Sequence, residues 1–190
     1  MVFSSILFLF YFLPAVLVVY FIVPRKAKNI VLLLFSLFFY AWGEPVYILL
    51  MLFSICMDYF LGLWLERAKE KPDGAKKVLA LAVVLNVALL GFFKYADFFV
   101  ENINALTGLS IPALNIPLPI GISFYTFQAM SYLIDLYRGD VPVQRNIISF
   151  GTYVSLFPQL IAGPIVRMRT VVGELKNRRE SFDDFSSGVK

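Results

Sequence analysis

Histidine is absent from the 190 residues, and cysteine occurs once, as Cys56. The first absence excludes imidazole from this chain as general base, zinc ligand or haem ligand. The second excludes an intrachain disulfide framework and any cysteine cluster. Charge is scarce as well: Asp, Glu, Lys and Arg make up 16% of the chain, where soluble domains carry about 25%. Neither G-x-G-x-x-G nor G-x-x-x-x-G-K-[ST] occurs, so there is no glycine-rich cradle for a nucleotide phosphate. No G-x-S-x-G elbow is present to expose a serine nucleophile. Internal repeats and low-complexity linkers are also missing, which argues against a transporter built from matching halves.

What fills the chain is apolar side chain. Hydrophobic residues reach 59%, with 20 Phe and 10 Tyr, against about 45–50% apolar in soluble domains. Mean hydropathy is +0.77. Such a composition excludes disorder and points to one domain of an integral membrane protein. The net charge of +4 does not indicate nucleic acid, because the basic residues form short clusters between long uncharged runs. In a membrane protein such clusters report orientation.

Met1 to Pro24 carries no charge and is long enough to span about 30 Å of hydrocarbon. Its basic residues, Arg25, Lys26 and Lys28, follow the run, and no A-x-A site is present. A retained helix fits this better than a signal peptide. Pro14 is expected to kink it. Asn29 to Gly43 is a shorter run, and Tyr40, Trp42 and Tyr47 suit an interfacial aromatic belt. Val46 to Leu65 returns, with Asp58 as its only charge, and Val78 to Phe93 follows the basic loop 66–77. Lys94 reads as a snorkelling interfacial residue, and 96–116 as an external loop. Pro117 to Tyr137 is apolar again. Asn146 to Val166 is uncharged but broken by Pro158, Gly163 and Pro164. Basic clusters at 25–28, 66–77, 138–145 and 167–179 belong on the cytoplasmic side. The pattern predicts an all-α fold over 1–166 with five transmembrane crossings, one re-entrant element broken by Pro and Gly, and an extracytoplasmic N-terminus. Residues 167–190 form a cytoplasmic segment.

Polar residues at membrane depth are the candidate functional positions, because burying an ionisable group there costs about 2.5–3.5 kcal/mol on insertion scales. Asp58 shares a helix face with Ser54 and Gly62; it is either a proton or substrate contact or part of a close helix–helix contact. Helical spacing places Tyr125, Gln128, Ser131, Tyr132 and Asp135 on one stripe. That stripe reads equally as a substrate-tunnel wall or as interhelical hydrogen bonding. Asn86 reads as structural glue. Gln159, bracketed by Pro158, Gly163 and Pro164, sits where a broken backbone frees polar groups to line a pocket. No metal site is assigned.

Several stretches together resemble the membrane-bound O-acyltransferase family in its alginate O-acetylation branch. They are Met1-Val2-Phe3-Ser4-Ser5 with Phe8-Leu9-Phe10, and Phe38-Phe39-Tyr40-Ala41-Trp42. The longest runs from Pro117 to Gln128 and on through Tyr132 to Gly139, and the last is Phe157 to Ile165. The resemblance implies a fold about twice this long, of which the chain is the N-terminal part. Ser181 to Lys190 resembles the lead-in to the next family helix. It implies a histidine general base in the missing C-terminal half, so no catalytic residue is assigned here and this portion alone is expected to be inactive. The implied acyl donor is cytosolic acetyl-CoA, with no bound cofactor. The implied partners are membrane lipid, a periplasmic acetyl-acceptor protein and an exported polysaccharide, with the plasma (inner) membrane as location. Tyr125, Gln128, Ser131, Asp135 and Gln159 would then be tunnel wall or scaffold. The teichoic-acid alanylation branch is an open subtype. The alternatives are a transporter or channel subunit using Asp58 and Asp135, or a non-catalytic scaffold.

Overall fold

The computed structural model describes residues 5–162, 166–171 and 187, and among them there are helices and connections but no strand. A π-helical stretch, Phe8–Phe12, opens into α1, Leu13–Ile22. After a short 3-10 turn at Arg25–Ala27 come α2, Lys28–Gly43, α3, Ile48–Ala68, and α4, Gly74–Thr107. The remaining helices are α5, Ile122–Arg138, α6, Ile147–Ser155, and α7, Phe157–Ala162. The irregularity expected at Pro14 lies one turn earlier. Leu13 N–H bonds back to the Phe8 carbonyl in π register, and Pro14, which has no N–H to give, takes a place in the first turn of α1.

α3 and α4 are long and apolar enough to cross a membrane. On α3 the buried residues Ser54, Asp58, Leu61, Gly62 and Leu65 form one stripe, while Phe53, Phe60 and Trp64 lie exposed on the other faces. α4 buries Val78, Ala82, Asn86 and Leu90 at a strict spacing of four, and none of its residues after Leu90. It is longer than the sequence reading allows, because the segment expected as an external loop is helical as far as Thr107. The run from Tyr95 to Thr107 contains neither glycine nor proline, so nothing interrupts the ladder until Gly108, which caps it at φ 70°. The chain then folds back. Asn104 bonds both backbone groups of Ile111 at 2.8 and 2.9 Å, and Asp97 Oδ1 accepts from Leu114 N–H at 2.7 Å.

The broken run resolves into two short helices. The Asn146 side chain caps α6 by accepting from the N–H groups of Ile148 and Ser149. α6 cannot continue through Pro158, whose ring would meet the carbonyl one turn back. The chain breaks at Leu156, and the freed N–H of Phe157 donates to Ser36 Oγ of α2 at 3.3 Å. With nine residues, α6 spans only about 13 Å. It lies in the interior, buried from Ser149 through Ser155 and packed on α2, α3 and α5. Gly163, Pro164 and Ile165 lie outside the described residues, as does 172–186.

α3, α4, α5 and α6 share the main core, while Phe8, Phe12, Phe39 and Phe157 form a second, aromatic one joining the first segment to α2 and α7. Tyr40 belongs inside rather than to an interfacial belt: it is buried in the main core, whereas Trp42 is exposed. The basic clusters 25–28 and 138–145 gather at one end. Asn29 Nδ2 reaches Ser149 Oγ at 3.3 Å, and Tyr59 donates to the Arg145 carbonyl at 2.7 Å. At the opposite end Tyr47 donates to the Pro117 carbonyl at 2.9 Å. Polarity runs opposite to that of a water-soluble protein: Asp58, Asn86, Gln128, Asp135, Thr152 and Ser155 are buried, while Phe, Leu, Val and Trp face outward.

Candidate functional site

α5 buries ten of its 17 residues, and its stripe meets α6 and α7. Gln128 is buried at the junction. Its Nε2 donates to the Tyr153 carbonyl of α6 at 2.7 Å and to Gln159 Oε1 of α7 at 3.2 Å. The Tyr153 hydroxyl lies 3.0 Å from the Val166 carbonyl and 3.3 Å from that of Gln128. One amide and one phenol thus tie together α5, α6, α7 and the stretch of chain at Val166. Gly121 makes the junction possible. It holds φ 78° ahead of α5, and a Cβ there would stand 3.3 Å from Leu160 of α7.

The other stripe residues meet different neighbours. Tyr125 is fully buried, and its hydroxyl meets that of the buried Tyr40 on α2. Tyr132 packs its ring over Gly62 of α3, where an added Cβ would come within 3.2 Å, and its hydroxyl accepts from Gln144 N–H at 2.9 Å. Asp135 is buried one turn beyond Ser131, and both stand beside the Tyr153 hydroxyl, which the Ser131 side chain contacts. Ser131 also lies along the wall of an open groove of about 600 Å³, with Val83 and Val87 of α4, Phe127, Met130 and Ile134 of α5, and Arg167. Its lining is mainly apolar, with Arg167 as the charged residue among it.

Asp58 takes no part in the Gln128 hydrogen bonds. It is 0% exposed and accepts from Asn86 Nδ2 of α4 at 2.7 Å. The structure therefore joins Gln128 to Gln159, sets Ser131 between Tyr153 and the groove, and pairs Asp58 with Asn86. Sequence reasoning missed Tyr153, because a tyrosine in a long uncharged run carries no signal of its own. It also missed the Asp58–Asn86 pairing, although both were singled out separately. Gln128, Gln159 and Tyr153 can hold and orient a polar group by hydrogen bonds, but amides do not shuttle protons. Among the described residues no group of three His, Cys, Asp or Glu could hold a metal ion.

No family profile matches the chain, and no solved structure matches it significantly. Curated relatives do. The chain is 42% identical over 193 residues to the probable alginate O-acetylase AlgI of Pseudomonas syringae pv. tomato, covering 100% of this chain and 37% of that protein. It is 42% identical over 192 residues to the probable alginate O-acetylase AlgI of Azotobacter vinelandii, covering 99% and 38%. A peptidoglycan O-acetyltransferase of Helicobacter pylori is 34% identical over 212 residues, covering 96% of this chain and 40% of that protein. The chain thus spans well under half the length of these relatives. Identity of this degree over essentially every residue places it with them: the chain belongs to the membrane-bound O-acyltransferase family.

Proposed function

We propose that this chain is the N-terminal part of an O-acetyltransferase that moves acetyl groups from cytosolic acetyl-CoA across the plasma membrane toward an exported polysaccharide. The observation that carries the reading is the 42% identity over the full chain to a probable alginate O-acetylase. The membrane setting is supported by two helices of spanning length and by the exposed apolar faces. In this reading the chain makes five crossings, the α6–α7 unit is a re-entrant element, and the basic end of the bundle faces the cytoplasm. The N-terminus is then extracytoplasmic. The Gln128–Gln159–Tyr153 junction and the groove beside Ser131 form the wall of the acyl path, with Tyr125 and Asp135 as scaffold behind it. No histidine is present to deprotonate an acceptor hydroxyl, so these residues alone do not catalyse transfer. The base comes from the remainder of a longer protein, and a periplasmic partner receives the acetyl group.

The test is made in the organism that carries the gene. Deleting the full-length gene should remove ester-linked acetate from an exported polysaccharide, and restoring it should return the ester. Replacement with the 190-residue portion should not. An unchanged acetyl content in every exported polymer overturns the proposal. A second acceptor, peptidoglycan, is favoured by the 34% identity to a peptidoglycan O-acetyltransferase; acetate on purified peptidoglycan distinguishes the two.

A further inference from the structure

The Asp58–Asn86 contact leaves two oxygens unaccounted for. Asn86 Nδ2 donates to Asp58 Oδ1 at 2.7 Å and to the Ala82 carbonyl at 3.0 Å, which uses both amide hydrogens. Asp58 Oδ2 and Asn86 Oδ1 are both buried and have no hydrogen-bond partner among the described residues. Two acceptors on the same pair of side chains cannot satisfy one another without a hydrogen. An ionised carboxylate supplies none, whereas a carboxylic acid supplies one. Among the described residues Asp58 forms no ion pair either, and the group that donates to it is this neutral amide. A buried charge without a counter-charge is among the least favourable arrangements in a protein interior.

We propose that Asp58 is held as a carboxylic acid in a reciprocal acid–amide pair with Asn86, its Oδ2–H donating to Asn86 Oδ1 while Oδ1 accepts from Nδ2. One added proton satisfies both orphaned oxygens, and the pair becomes a neutral fastener between α3 and α4. Asn86 is three residues after Val83 and one before Val87, both of which line the groove. The fastener therefore sets where that wall of the groove stands. The inference rests on burial and hydrogen-bond accounting, not on the acetyltransferase reading.

The experiment uses the full-length protein, purified in detergent or nanodiscs. Infrared difference spectra between wild type and Asp58→Asn should show the carbonyl stretch of a protonated carboxyl, present in the wild type at neutral pH and missing in the variant. Asp58→Asn preserves the reciprocal geometry, so it should express and melt like the wild type. Asp58→Ala and Asn86→Leu should each lower yield several-fold, since each leaves a buried polar group without its partner. A carboxylate band in the wild type overturns the proposal. So does an Asp58→Asn variant that is lost from the membrane as completely as Asp58→Ala.

Discussion

Gln128 is one amide serving two helices, and that makes its replacement informative. Gln128→Leu keeps the volume but strands the Tyr153 carbonyl and Gln159 Oε1, which receive its hydrogens at 2.7 and 3.2 Å. Leaving a buried acceptor unsatisfied costs about 1–3 kcal/mol. The full-length variant should melt several degrees lower in detergent, as read by tryptophan fluorescence, while Gln159→Leu, which strands less, should lose less. Gly62 is informative for the opposite reason. A Cβ there would stand 3.2 Å from Tyr132 Cε1 and 3.3 Å from its hydroxyl oxygen. Gly62→Leu must push α5 off α3, an overpacking cost of about 1–3 kcal/mol. Reduced thermal stability is expected, and a Gly62→Leu variant as stable as wild type would mean that α3 and α5 do not meet as described. Gly62 was legible as a small residue beside Asp58; that Tyr132 is what fills its space was not.

Among the elements, α6 depends most on its ends. Nine residues are too few for a self-supporting helix, so its stability comes from its cap and from burial against α2, α3 and α5. Asn146→Ala removes both side-chain hydrogen bonds, to Ile148 N–H at 2.9 Å and Ser149 N–H at 3.2 Å. The loss should be about 0.5–2 kcal/mol, and Asn146→Asp should recover most of it. Hydrogen exchange in α6 is the measurement, and unchanged protection in Asn146→Ala would refute the assignment. The helices themselves were largely readable from uncharged runs and from proline and glycine. α4 was the exception. The greater polarity of the chain from Asp97 onward made its second half read as an external loop, but polarity decides which solvent a segment meets, not whether it is helical. With no breaker before Gly108, backbone propensity carried the helix on.

For the whole molecule, the single cysteine offers a direct test of what surrounds the bundle. Cys56 is exposed, yet it lies within α3, a helix of spanning length. If lipid surrounds that face, a charged, water-soluble maleimide should leave Cys56 unmodified in intact membranes. A lipid-soluble maleimide, or the water-soluble one after denaturation, should modify it. Rapid labelling by the charged reagent in intact membranes would place this face in water and overturn the membrane reading of α3.

The sequence by itself determined the class of molecule. Its apolar content, its lack of histidine and its basic clusters specify an all-helical, membrane-type chain without an imidazole base, because composition and charge spacing are properties a linear chain carries openly. The family was equally legible, since ordered motifs are linear too. Only the tertiary structure decided which polar groups meet. Gln128 and Gln159 are 31 residues apart and Asp58 and Asn86 28, and helical periodicity places a residue on a face without saying what lies opposite. That depends on which helices pack together, and here the decisive contacts are the approach of α5 to α3 over Gly62 and the break at Leu156 that turns α7 toward Gln128. Both are set by side-chain volume and backbone geometry summed over several elements, a quantity no single stretch of sequence contains.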